Sequence, residues 1–179
     1  METMNLMLTR RSIRKFSPEP VPRTVVEQVI QAGLYAPSAR NSQSTMILAV
    51  TRPDLIRRLS EMNRIIMGKA EGVDPFYGAP VVLLVLGEKS WPHRVYDGSL
   101  VMGNLMLAAH CLGLGSCWIH RAREEFDSPE GQEILRELGV EGEWEGIGHC
   151  VLGYPQEQLP APPPDRKSTR LNSSHVKLS

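Results

Sequence analysis

The chain has 179 residues, 41% of them hydrophobic and 22% charged, which leaves room for one compact domain, two at most, and excludes a wholly disordered chain or an apolar membrane span. Lys+Arg and Asp+Glu both count 20, so the zero net charge predicts no nucleic-acid affinity. Cys111, Cys117 and Cys150 are odd in number and form no Cys-x-x-Cys, which argues against a disulfide framework or zinc ribbon and fits a reducing cytoplasm.

The first sixteen residues, METMNLMLTRRSIRKF, have the Arg-rich, amphipathic look of a targeting segment. They run into a patterned helix with no spacer, and are read as part of the fold. Pro22 suits a first helical turn. Val25, Val26, Val29, Ile30, Gly33 and Leu34 follow at helical spacing until Pro37 ends the run. Residues 45–51, TMILAVT, predict a buried strand. Thr51 and Asp54 read as a capping box ahead of a helix faced by Leu55, Ile56, Leu59 and Met62. The Gly-rich stretch 63–78 predicts a helix end and a mobile loop.

Residues 81–86, VVLLVL, predict a strand covered on both faces. Residues 98–112 are apolar nearly all round, which predicts a central helix buried on most sides and stopped by Gly113 and Gly115. SCWIH, 116–120, reads as a short extended piece. Ser128 and Pro129 open another helix, which Gly139 closes. Residues 147–153, IGHCVLG, alternate like a core strand. After the run PAPPP at 160–164 comes a Ser-rich tail, 165–179, with four Lys/Arg, one Asp and no apolar period. The expected organisation is one domain over 1–164 and a non-native or disordered tail over 165–179.

Three constellations could carry chemistry. Arg10, Arg11, Ser12, Arg14 and Lys15 crowd four cations and a hydroxyl into six residues, an anion-site candidate because guanidinium forks match phosphate oxygens. A solvated basic face is the plainer alternative. Pro37-Ser38-Ala39-Arg40-Asn41-Ser42-Gln43 is small and polar, fit for a turn. Asn41 and Gln43 can also donate to and accept from a heterocyclic ring. Gly113–His120 is a glycine loop leading into a strand, but it lacks the G-x-G-x-x-G spacing of a dinucleotide fingerprint. Trp118 there is either core packing or part of a strand whose main chain faces a planar ligand. His110 and Cys111 are adjacent on a helix and do not face each other. No metal-ligand spacing and no nucleophile motif occurs.

In order, RRSIRKF, APSARNSQ, FYGAPVVLLV, DGSLVMGNLMLAAHCLGLGSCWI and a strand ending GYP resemble the FMN-dependent nitroreductase family, over about residues 7–164. The family's usual close is missing, and only Arg166-Lys167 echo it. The resemblance implies an α+β fold, a mainly antiparallel sheet wrapped by helices, in a two-fold homodimer with FMN at the interface. It places Arg10, Arg11, Ser12 and Arg14 on the phosphate, ribityl chain and pyrimidine edge. It assigns Pro37, Ser38, Ala39 and Asn41 to the segment supplied by the other subunit, with Gln43 beside them. Trp118, Ile119 and His120 match the strand whose main-chain amides approach flavin N5 and O4, with His120 standing where relatives usually carry Gly. The implied activity is hydride transfer from NAD(P)H, a transient substrate, through flavin N5 to a nitroaromatic or quinone by a ping-pong mechanism. Dehalogenation or flavin fragmentation on the same fold, and non-catalytic flavin binding, are the alternatives. The flavin carries the redox chemistry, so no protein acid–base pair is expected.

Overall fold

The computed structural model describes residues 3–156, together with the backbone of 169–170 and 177–178. In chain order the elements are α1 (Thr3–Thr9), α2 (Arg23–Leu34), β1 (Thr45–Val50), α3 (Pro53–Ile66), β2 (Val81–Glu88), α4 (Arg94–Cys111), β3 (Gly115–Ile119), α5 (Ala122–Asp127), α6 (Pro129–Glu137), β4 (Trp144–Gly153), β5 (Thr169–Arg170) and β6 (Lys177–Leu178). The main sheet has the order β1-β2-β4-β3, and each of its pairings is antiparallel. β5 and β6 pair with each other in a separate ladder. The expected boundary between 164 and 165 lies outside the described residues.

Alternation along each strand decides which helices cover which face. Val82, Leu84 and Leu86 of β2 point with Cys117, Ile119 and Val151 toward Leu55, Leu59, Phe126 and Ile134 of α3, α5 and α6. Val81, Leu83 and Val85 point with Cys150 and Leu152 toward Val26, Val29, Met102, Leu105 and Ala109 of α2 and α4. The run VVLLVL is therefore buried on both sides, none of it more than 2% exposed. Each such side chain contributes roughly 1.5–3 kcal/mol by leaving water. The helices wrap an antiparallel sheet, as the α+β expectation required.

The segment after α1 is stitched to the far edge of this sheet. Ser12 bridges Ser116 in a parallel sense, and the Ile13 N–H donates to the Ser116 carbonyl at 2.9 Å. Gly115 permits the approach, since a Cβ there would come within 2.9 Å of Ile13 Cβ. Further on, the Ser17 N–H donates to Tyr154 O at 2.8 Å and the Gln156 N–H to Lys15 O at 3.1 Å.

Several local expectations change. No capping box forms at Thr51: Arg52 occupies the cap position, its guanidinium pairs with Asp54, and Pro53 starts α3 with its fixed φ and absent N–H. Within 63–78 the expected helix end is present, α3 continuing to Ile66, and the turn that follows is pinned where Asp74 accepts from Ser60 Oγ at 2.5 Å, Phe76 N–H at 2.8 Å and Gly78 N–H at 2.6 Å. Phe76 is fully buried beneath that turn.

Nor is α4 covered on most sides. It starts at Arg94 and leaves a stripe open, with Tyr96 71% and Leu100 48% exposed. A Cβ on Gly103 would meet nothing within 4 Å. Exposed Met4, Met7 and Leu8 of α1, and Leu34 and Tyr35 at the end of α2, add to the apolar surface that the chain exposes. Within the chain α2, α1 and the sheet pack against α4, and the stripe through Tyr96 and Leu100 stays open. The cap of α6 forms as expected: Ser128 Oγ accepts the Gly131 N–H at 3.1 Å, and Gly139 takes a φ of +71° beyond its end. Among the described residues no helix is long and apolar enough to cross a membrane.

Candidate functional site

The basic segment sits where α1 ends against the C-terminal end of α4. Thr9 Oγ1 lies 2.9 Å from His110 Nε2. Burial pushes the His110 pKa below its ordinary value, and the nearby Arg10 and Arg11 cations push it the same way. Arg11 Nη1 donates to the carbonyls of Leu8 at 2.8 Å and Arg10 at 2.6 Å. Arg10 Nη1 and Arg11 Nε are buried atoms with no hydrogen-bond partner. A buried guanidinium N–H without an acceptor is costly, and an anion or a ring carbonyl would satisfy it. Ser12 bridges Ser116, next to Cys117 on β3. Burial raises that thiol's pKa, while Arg14, Ser12 and Arg10 oppose the rise.

β3 is an edge strand of the main sheet. Ser116 uses its outer carbonyl for Ile13, so by alternation the main-chain N–H and C=O of Trp118 face the same edge, beyond the Ser12 bridge. The Trp118 ring packs over Gly148, where a Cβ would come within 2.3 Å of the indole nitrogen. Ile119 is buried and His120 is exposed. The His120 carbonyl accepts from Asn63 Nδ2 at 2.8 Å.

The Pro37–Gln43 segment lies at the opposite end of α4. Asp97, 2% exposed in the first turn of that helix, accepts the Ala39 N–H at 2.9 Å, the Trp91 indole N–H at 2.9 Å and the Ser42 hydroxyl at 3.3 Å. The Gln43 N–H donates to Ser38 Oγ at 3.1 Å, and Gln43 Nε2 to Asn41 Oδ1 at 3.2 Å. Arg40, Asn41 and Gln43 adopt φ of 54°, 53° and 49°. Non-glycine residues hold such angles only where their surroundings impose them. Pro37, Ser38 and Gln43 line a cavity of about 280 Å³ with Leu34, Asp97 and Val101.

Two of the three constellations therefore meet in one chain and the third does not. Arg10–Arg14 and β3 are neighbours through Ser12 and Ser116. The Asp97 and His110 ends of α4 stand roughly 20 Å apart at 1.5 Å per helical residue, so the Pro37–Gln43 loop is remote from Arg10 and Arg11.

Two features escaped the sequence reading. Asp97 was overlooked because the helix was expected to start one residue after it, although an acidic residue in a first helical turn is a usable signal. The other is an acid–base pair where none was expected. His149 Nε2 lies 3.1 Å from Glu125 Oε2, both side chains fully buried, with Asn63 alongside. No spacing in the sequence announces it, because the partners come from α5, β4 and α3.

The sequence model of the nitroreductase family matches residues 7–154. A protein of Archaeoglobus fulgidus, provisionally named an NADH dehydrogenase/NAD(P)H nitroreductase, is 30% identical over 161 residues, covering 88% of this chain and 87% of its own. A nitroreductase of Bacteroides fragilis, crystallised with bound FMN, is 25% identical and superposes with a TM-score of 0.82 over 100% of this chain and 99% of that one. Iodotyrosine deiodinase, bound to FMN and 3-iodo-L-tyrosine, shares the fold at 24% identity, with a TM-score of 0.73 over 96% and 99% of the two chains.

Proposed function

The chain belongs to the nitroreductase family, and from that premise we propose that it is an FMN-dependent oxidoreductase that consumes NAD(P)H and works as a two-fold homodimer. The observation that carries the reading is the pair of buried, unpartnered N–H groups on Arg10 and Arg11, beside the open edge of β3. They fit a ligand that brings both an anion and ring carbonyls, as FMN does.

In this reading Arg10 and Arg14, with Ser12, hold the phosphate end, and Arg11 serves the ribityl and pyrimidine side. The outward main chain of Trp118, with Ile119 and His120, aligns the ring at its N5 and O4 edge. Pro37, Ser38, Ala39, Asn41 and Gln43 come from the partner subunit and close the site. The roughly 20 Å between the two halves along α4 and the open Tyr96–Leu100 stripe support a site built from two copies. When bound, FMN supplies the redox chemistry, taking a hydride from the nicotinamide and returning it to an electron-poor acceptor such as a nitroaromatic or quinone. The protein binds, orients and shields, and a cation near the pyrimidine edge favours the reduced, anionic ring. The three free thiols support a reducing, cytoplasmic setting.

The likeness to a deiodinase bound to 3-iodo-L-tyrosine favours one second reading, reductive dehalogenation on the same flavin. One experiment addresses both. The purified protein carries a visible flavin spectrum that NADH or NADPH bleaches, and a nitroaromatic or quinone then restores it. A colourless protein that takes up no FMN refutes the reading. Bleached flavin reoxidised by a halophenol and not by a nitroaromatic or quinone selects the second.

A further inference from the structure

Asn63, Glu125 and His149 lie fully buried among the apolar side chains beneath α3, α5 and α6. Phe76 and Phe126 flank the imidazole, with ring centroids 5.0 and 6.2 Å away. His149 Nε2 stands 3.1 Å from Glu125 Oε2. Asn63 Nδ2 donates to Glu125 Oε1 and also to the His120 carbonyl, the latter at 2.8 Å. Asn63 thus links the Glu125 carboxyl to one main-chain atom, at the residue that follows β3.

A buried polar group of this kind is weak evidence for stability. Burying a carboxylate, an imidazole and an amide in such surroundings is costly, and apolar residues of similar volume often pack as well or better. What the group supplies is direction. Arg121, the next residue, holds a φ of 77°, in the left-handed region. Gly146 on β4 lets the Ala122 carbonyl lie against the strand, where a Cβ would come within 2.1 Å of it. The chain therefore turns from the open edge of β3 into α5 at a fixed point. Apolar packing alone leaves a carbonyl at such a corner free to rotate. A hydrogen bond from an amide that also bonds Glu125, with the His149 ring packed 3.1 Å from the same carboxyl, does not.

We propose that Asn63, Glu125 and His149 are positioning residues for the flavin-facing end of β3, fixing the main chain of Trp118–His120 and so setting the reduction potential of bound FMN. The proposal rests on the FMN reading above. Main-chain dipoles aimed at a ring stabilise whichever redox form carries more negative charge where they point. Turning them changes the ratio of affinities for the two forms, and each tenfold change in that ratio moves a two-electron couple by about 30 mV.

The test compares FMN-loaded wild type with Asn63→Leu and with the triple variant Asn63→Leu/Glu125→Leu/His149→Phe. Thermal midpoint, flavin stoichiometry and equilibrium potential against a reference dye are read for each. The triple variant is expected to fold with a midpoint no lower than wild type, to bind FMN, and to shift the potential by about 30 mV or more, a tenfold change in relative affinity. Asn63→Leu should shift it too, with a lower midpoint because the buried Glu125 carboxyl loses its hydrogen-bond donor. A folded triple variant with wild-type potential overturns the proposal. So does a triple variant that fails to fold, since the trio would then be needed for the fold itself. Failure of the wild type to bind FMN instead refutes the functional reading.

Discussion

Replacing Asp97 by Asn should loosen the Pro37–Gln43 loop and weaken FMN binding while leaving the fold in place. The carboxylate accepts the Ala39 N–H and the Trp91 indole N–H, both at 2.9 Å, and a longer bond from Ser42 at 3.3 Å. Hydrogen bonds to a charged group contribute roughly 1.5–3 kcal/mol each. An amide at this position keeps one acceptor oxygen but turns an NH₂ toward a donor, so one of the two strong bonds is lost. Against that bond, the loop holds three left-handed residues, Arg40, Asn41 and Gln43. Such conformations cost on the order of 1 kcal/mol or more apiece, so the loop relaxes toward ordinary angles once the clamp weakens. With about 1.4 kcal/mol per factor of ten, FMN affinity should fall about tenfold or more. Asp97→Ala, which leaves both donors without an acceptor, should cost more and lower the thermal midpoint as well. Quenching of FMN fluorescence on titration measures the affinity, and circular dichroism confirms the fold. Wild-type affinity in a folded Asp97→Asn protein would refute the clamp.

Arg10→Ala should weaken FMN about tenfold or more, on the same roughly 1.5–3 kcal/mol for a charge-assisted bond, and unchanged affinity in the titration sinks the assignment. Tyr96→Glu combined with Leu100→Glu places two carboxylates on the open stripe of α4 and should halve the mass seen by light scattering. A stable dimer carrying both changes would mean that this face is not the interface. His110 should impose a pH slope on stability. Its pKa is depressed in the fold, so the unfolded chain takes the proton first. Stability is full above the ordinary histidine range and falls as pH drops through about 6.5 toward the folded value. Urea midpoints between about pH 5 and 8 measure the slope, and His110→Gln should flatten it; equal slopes in the two proteins would assign the proton to another group.

Residues whose role follows from local pattern were legible. VVLLVL reads as a doubly covered strand because six β-branched or apolar residues in a row fit little else, and Ser128-Pro129 reads as a helix start because the cap and the proline each act within one turn. The open stripe of α4 was half legible. The apolar run at 98–112 and the family resemblance together point to a helix at a two-fold interface, but which of its residues stay open depends on where α1, α2 and the sheet pack, and that is not written in the run itself. The left-handed residues of the Pro37–Gln43 loop hid for a different reason. Such angles usually show as glycine, and here Arg40, Asn41 and Gln43 adopt them beside Ala39 and Ser42, which bond Asp97 more than fifty residues away. The Glu125–His149 pair is a product of tertiary placement alone.

Under the two-copy reading, the two ends of α4 make the half-sites separable in genetics. A chain damaged at Arg10 keeps a sound Pro37–Gln43 loop, and a chain damaged at Asp97 keeps a sound basic segment. Each mutant homodimer carries two injured sites. A mixed dimer pairs one injured half with the other in one site and two sound halves in its companion. Under the two-copy reading, co-expressing the two defective forms therefore restores up to half the flavin capacity of the wild type in the mixed species. Lesions confined to one half-site would give no such rescue, because every dimer would inherit the same fault.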